Sequence, residues 1–311
     1  MRALITGGNG FVGRHLATEL RARGYDTFVA GHTRDGGDVD APLDLADADT
    51  VGAVVEAARA DVVFHLAAQA FVPAATAQPL ETYDINVMGT GRLIDALRGL
   101  PDARRPMLFF VSSAEVYGMH EQSDMPLTEH SHLRPGTPYA ASKVAGEALV
   151  LASARTYGLR VRVTRAFNHI GPGQSDRFVV ARFAKRLAEI AAGGDPKFPV
   201  GNLESQRDFL DVRDVVRAYV DLAERGQDRE VYNVCSGKPT KIADILRTLV
   251  TIARVGLEIR EDAALMRTSD APLLYGDNAK LVLATGWKPA YTLAQSLRDV
   301  YEAAREKAAH A

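Results

Sequence analysis

The sequence predicts an α/β fold, a doubly wound parallel sheet followed by a smaller C-terminal α/β domain. Short apolar runs alternate with helix-length amphipathic stretches through roughly the first 170 residues, the rhythm of strands joined by crossover helices. A glycine-rich segment, Thr6-Gly7-Gly8-Asn9-Gly10-Phe11-Val12-Gly13, separates the first strand from the first helix. After Asn168 the texture changes: Gly171-Pro172-Gly173 and Gly193-Gly194-Asp195-Pro196 break the alternation.

The elements follow in order. Ala3-Leu4-Ile5 is the first strand. Phe11, Val12, Leu16 and Leu20 mark one helical face, and Gly24 stops that helix. Asp26 to Ala30 reads as the second strand. Asp61 to Leu66, Met107 to Val111 and Val161 to Thr164 are buried strands. Thr137-Pro138 opens a helix at Tyr139, with threonine as cap and proline in the first turn. Val231 to Val234 returns to the main sheet. The expected first domain is 1–167 with 208–235 returning to it, and the second is 168–207 with 236–311.

Composition narrows the function classes. Apolar residues make up 47% of the 311 and charged residues 24%, enough for a sizeable core. The 37 basic and 39 acidic side chains give a net charge of −2, no basic excess for nucleic acid or an anionic membrane. One cysteine, Cys235, excludes an internal disulfide and a multi-cysteine metal site, and reads as a buried small residue. The first residues enter a strand at once, so no signal peptide is expected, and no apolar run reaches membrane length. A reducing cytoplasm is the expected setting. The eight histidines form no H-E-x-x-H pattern, His130-Ser131-His132 reads as solvated or packed, and no metal is expected. No G-x-S-x-G elbow points to a serine hydrolase.

The glycine turn carries the first chemistry. Gly7, Gly10 and Gly13 lie between strand and helix, where backbone N–H groups and a positive helix end face a diphosphate. Gly8, Gly10 and Gly13 also satisfy the G-x-G-x-x-G spacing of the Rossmann dinucleotide site. A tight turn without ligand would look alike. The strand before it and the helix after it favour dinucleotide binding. At the end of the second strand, Thr33 and Arg34 suit the 2′-phosphate of NADP(H), while Asp35 keeps NAD(H) open.

Of the ten tyrosines, Tyr139 has a lysine, Lys143, four residues on. That spacing puts both on one helical face. A free phenol ionises near pH 10, so acid/base work near neutrality needs a shift of about three units, roughly 4 kcal/mol. A neighbouring ammonium is the expected source. Ser112, Ser113 and Glu115 leave the strand before them and project toward the cofactor; strand-end capping is the plainer fate of such serines.

With these residues on view, the chain resembles the extended short-chain dehydrogenase/reductase family, whose members act largely on nucleotide sugars. His65-Leu66-Ala67-Ala68 and Asp84-Ile85-Asn86-Val87-Met88-Gly89-Thr90 add to the likeness. The resemblance implies Tyr139 as proton donor or acceptor, Lys143 on the nicotinamide ribose, and Ser113 on the reacting oxygen, with Glu115 beside them. It adds Asp44, Leu45, Leu66, Ala67 and Ala68 to the cofactor site. The segments Phe167 to Gln174, Gly201 to Phe209 and Arg267 to Pro272 are similar to the GDP-4-dehydro-6-deoxy-D-mannose reductases of that family. By that likeness Asn168, Val200, Asn202, Arg207 and Arg267 contact the substrate, with both arginines on its diphosphate. A surface ion pair is the plainer fate of each arginine.

The implied reaction is NAD(P)H-dependent reduction of a GDP-linked 4-keto-6-deoxy sugar to GDP-D-rhamnose, or to its talose epimer. A GDP-mannose 4,6-dehydratase, a 4-epimerase and a non-catalytic dinucleotide sensor are the other readings. Glu115 stands where dehydratases keep a base, whereas Ala114 departs from their pattern. The helices from Tyr83 to Leu97 and Tyr139 to Tyr157 resemble those that relatives pair into a homodimer.

Overall fold

The apolar runs of the N-terminal half become strands because each is buried on both faces, as a parallel sheet covered by helices demands. In the computed structural model, which describes residues 1–32, 39–265 and 271–309, the chain begins β1 (Arg2–Thr6), α1 (Phe11–Ala22), β2 (Asp26–Gly31), β3 (Ala41–Pro42), α2 (Ala48–Ala58) and β4 (Val62–His65). Short helices α3 (Val72–Ala77) and α4 (Pro79–Tyr83) follow, then a π-helical turn over Asp84–Met88 that merges into α5 (Gly89–Gly99). β5 (Met107–Ser113), α6 (Pro138–Tyr157) and β6 (Val161–Ala166) come next. Thr33, Arg34, Asp35 and Arg267 lie outside the described residues.

From β6 a single residue, Phe167, leads into β7 (Asn168–Ile170), then α7 (Val179–Ala191), β8 (Lys197–Val200) and β9 (Gln206–Asp211). β9 passes directly into α8 (Val212–Arg225), which leads to β10 (Val231–Val234). The remainder is β11 (Pro239–Lys241), α9 (Ile242–Ala253), β12 (Glu258–Glu261), β13 (Leu273–Leu274), α10 (Ala279–Thr285) and α11 (Leu293–Ala309). Among the described residues no helix is long and apolar enough to cross a membrane.

Seven strands form one parallel sheet in the order β3-β2-β1-β4-β5-β6-β10. The winding reverses between β1 and β4, which opens a crevice at the carboxyl ends of the strands. Leu16 and Leu20 of α1 pack with Val216 and Tyr219 of α8 on one face. Val51 and Val54 of α2, Leu93 and Leu97 of α5, and Val150 of α6 cover the other. Each such side chain, fully buried, stabilises the fold by roughly 1.5–3 kcal/mol. A third core joins α7, α9 and α11.

The second half departs from the expected boundaries. β9 pairs with β7, β11 and β13 in a small sheet, so residues 208–211 do not return to the main one. The return is made by α8 and β10, and α10 packs on both. The cause is long-range: β9 reads locally as any buried strand, and only its partners assign it to a sheet.

Candidate active site

The glycine turn closes on itself: Gly10 N–H donates to the Gly7 carbonyl at 3.0 Å and Arg14 N–H to that of Gly10 at 3.1 Å. Gly7 has φ of +69°, and a Cβ there would stand 2.8 Å from Ala67 N. A Cβ on Gly13 would stand 2.6 Å from Gly8 Cα and overlap the Gly7 carbonyl. Hydrogen alone fits at both positions. Gly10 offers α1 no side-chain cap, so the helix turns its first N–H groups and positive end toward the crevice. That is a cradle into which a diphosphate fits. Gly7, Gly10, Phe11, Val12 and Gly13 line a cavity of about 1020 Å³ with Asp44, Leu45, Leu66, Ala67 and Ala68.

His65, at the end of β4, fixes the neighbouring strand tips. Its Nδ1 meets Thr6 Oγ1 at 2.7 Å and its Nε2 meets Thr90 Oγ1 at 3.1 Å. Thr90 donates to the Asn86 carbonyl at 2.6 Å, so it accepts from His65, and the hydrogen resides on Nε2. Thr6 in turn accepts from Ala67 N–H at 3.3 Å, next to the cradle. Burial pushes the imidazole down to about 3, and the Lys143 charge adds to it. The folded chain thus resists a proton that the unfolded chain accepts below about pH 6.5, so stability present above that value is lost as pH falls toward 3. The expected slope is about 1.4 kcal/mol per pH unit. Urea unfolding at pH 7 and pH 5 should show it in the native chain and a shallower fall in His65→Gln; equal slopes would refute the assignment.

α6 forms as its sequence dictates. Thr137 Oγ1 accepts from Ala140 N–H at 3.1 Å, Pro138 occupies the first turn, and Gly158 ends the helix at φ +70°. Tyr139 and Lys143 lie one turn apart, 8% and 5% exposed. Tyr139, Ser113 and Glu115 line the cavity wall, and Lys143 sits behind them. Its ammonium donates to the Val111 carbonyl at 2.9 Å, 5.2 Å from the Phe110 ring centre and 6.0 Å from that of Tyr139. Ser113 Oγ accepts from Glu115 N–H at 3.2 Å, starting the 3₁₀ turn Ala114–Tyr117.

The electrostatics correct one expectation. Burial pushes the Tyr139 phenol up to about 12; a hydrogen bond with Ser113 opposes this and the Glu115 charge reinforces it. Lys143 is pushed down to about 8 by burial, with Glu147 opposing. The ammonium is turned to the Val111 carbonyl, and the lowering of the phenol that the four-residue spacing suggests is not the dominant effect. Desolvation outweighs it. The phenol is held protonated, the state a proton donor needs.

The far end of the same cavity is lined by Asn168 of β7, by Asn202 and by Arg207 of β9. Arg207 is 7% exposed and donates to the Gln206 carbonyl at 2.9 Å. Val200 is not brought there. It is fully buried in the core with Phe183 and Phe198, and its carbonyl accepts from Asp262 N–H at 2.9 Å.

Several lining residues escape a reading of the sequence. Arg182 and Phe178 project from the α7 region, and Gln174 and His169 from the loop and strand before it. The His169 ring stacks on Phe11 at 6.1 Å and 13°, with Nδ1 3.0 Å from the Phe167 carbonyl. Phe71 and Phe178, both lining the cavity, meet edge-on at 6.2 Å, with the Arg177 guanidinium 5.7 Å from the Phe71 ring. None has a short-range signature; α7 looks in sequence like any amphipathic helix.

Comparison with known proteins agrees with this fold. The family model described as GDP-mannose 4,6 dehydratase matches residues 4–300. The chain is 41% identical over 302 residues to the GDP-6-deoxy-D-mannose reductase of Pseudomonas aeruginosa, covering 96% of this chain and 95% of that one. It is 30% identical over 304 residues to a GDP-6-deoxy-D-talose 4-dehydrogenase of Aggregatibacter actinomycetemcomitans, 97% of each. A solved structure of RMD from Pseudomonas aeruginosa, complexed with NADPH, matches with a TM-score of 0.89 at 38% identity, over 99% of this chain and 100% of the other.

Proposed function

The chain belongs to the GDP-mannose 4,6-dehydratase family, and from that premise we propose that it reduces the 4-keto group of GDP-4-dehydro-6-deoxy-D-mannose to GDP-D-rhamnose with NADPH. NAD(H) would use the same cradle. The observation that carries the reading is a single cavity whose wall holds the glycine turn, the buried phenol, and Asn168 with Arg207.

A bound NADPH supplies hydride to the sugar's fourth carbon. Everything else falls to the chain. Tyr139, kept protonated by burial, passes its proton to the oxygen as charge develops there. Ser113 holds that oxygen and the phenol together. Lys143 lies within 6.0 Å of the phenol ring, and its charge stabilises the phenolate left behind. Arg207 and Arg182, with Arg267 from the resemblance, grip the substrate diphosphate, and Asn168 and Asn202 orient its nucleotide end.

A 4,6-dehydratase is the second reading, favoured by Glu115, whose charge bears on Tyr139 in the cavity wall. Supplying GDP-4-dehydro-6-deoxymannose and NADPH separates the two. One cofactor oxidised per sugar reduced is expected. Conversion of GDP-mannose to the keto sugar without net cofactor use would overturn the reductase reading. NMR of the product's fourth carbon distinguishes rhamnose from talose.

The exposed apolar side chains Leu80, Met88 and Leu149, on α4, the π turn and α6, suit a second copy of the chain and hence a homodimer. A reducing cytoplasm suits the buried, free Cys235.

A further inference from the structure

We propose that Glu147, gripped by Arg165, is a positioning residue for the reaction: its carboxylate is the buried counter-charge to the Lys143 ammonium. The inference rests on the reading of Tyr139 and Lys143 as the acid/base pair. Tyr139, Lys143 and Glu147 follow at four-residue steps along α6, so they form one stripe facing the sheet. Glu147 is 3% and Arg165 5% exposed.

The grip on the carboxylate is a fork. Arg165 Nε donates to Glu147 Oε1 at 3.0 Å and an outer guanidinium nitrogen donates to Oε2 at 2.7 Å. The other outer nitrogen donates to the Tyr117 hydroxyl and to the Glu129 carbonyl, both at 3.1 Å. Tyr117 donates onward to Asn233 Oδ1 at 2.6 Å. Such a pair is an expensive way to fill space, because an apolar pair of similar volume is often as stable. A second role for the charge accounts for it.

Lys143 supplies that role. Arg165 of β6 lies in register with Ser112 of β5, next to the Val111 carbonyl that holds the ammonium. Ammonium and ion pair therefore share one dry layer between α6 and the sheet. The groups around Lys143 offer little to a cation: the Phe110 ring, the Val111 carbonyl, a neutral His65, and a Tyr139 phenol that stays protonated. Tyr117 is occupied with Arg165, and the Glu115 charge bears on Tyr139. Glu147 is the charge that opposes the pull of burial on Lys143. Without it a neutral amine would face the phenolate, and the proton donor would lose its stabilised product state.

The test uses the full chain with lysines labelled at Cε, so that Lys143 is titrated by NMR, together with the pH profile of kcat/KM. In the native chain the Lys143 midpoint is expected at about 8. Glu147→Gln should lower it by about one unit or more. The alkaline limb of kcat/KM should move with it, so that activity at pH 8 falls about fivefold while activity at pH 6 is nearly unchanged. Glu147→Asp, which keeps the charge, should restore most of the midpoint. If Glu147→Gln does not fold, the double variant Glu147→Gln/Arg165→Gln leaves no lone charge, and because a nearby cation is lost with the anion its midpoint should fall in the same direction but by less. A folded variant that binds NADPH yet keeps the native midpoint and limb overturns the inference. A native chain that reduces nothing would sink the reductase reading instead, while a shifted midpoint there would still support the coupling.

Discussion

Tyr139→Phe is expected to cut turnover by about 10²–10⁴ while leaving NADPH bound. The phenol is 8% exposed and shares a hydrogen bond with Ser113 at the cavity wall. Phenylalanine keeps the ring and its packing, so the loss is confined to the proton and one hydrogen bond, about 1 kcal/mol of stability. Single-turnover oxidation of NADPH and a fluorescence titration of the same cofactor separate the two effects. Turnover within tenfold of the native chain would mean that another group delivers the proton.

Gly13→Ala should weaken NADPH binding by about 10–100-fold, equivalent to 1.4–2.7 kcal/mol. The added methyl would stand 2.6 Å from Gly8 Cα and strike the Gly7 carbonyl, so no side chain can swing aside to admit it. The turn itself must move, and with it the N–H groups aimed at the diphosphate. Gly91→Ala is the control: it lies within α5, and a Cβ there meets nothing within 4 Å. That change should leave binding alone and stabilise the helix by up to about 1 kcal/mol. Equal binding by the Gly13 variant would show that the diphosphate lies elsewhere.

Much of this architecture was legible in the residues. The alternation of apolar runs located the strands of the parallel sheet to within a few residues, because period and burial are local properties. Thr137-Pro138 and Gly158 bracketed α6 for the same reason. β5 and β6 ran two residues longer than expected, to Ser113 and Ala166. Pairing across the sheet decides such ends, and no single strand contains it. The placement of β9 in the small sheet, Val200 in the core, and His169 on Phe11 likewise depends on partners far away in sequence. The tyrosine–lysine pair was legible from its spacing, yet its electrostatic balance was not: the burial that raises Tyr139 and lowers Lys143 becomes visible only once the sheet and α6 enclose them.

Two joints between the large and small sheets have almost no slack. Phe167 alone separates β6 from β7, and β9 runs into α8 without a spare residue. A hinge is a few loop or element-terminal residues that absorb rotation. These junctions offer strand and helix ends for that rather than a loop, so any rotation between the sheets is confined to a few positions. Phe71 and Phe178, edge to face, line the cavity that these joints flank. The backbone itself thus ties the two walls of the cavity together, through Ala166 to Ile170 on one side and Phe209 on the other.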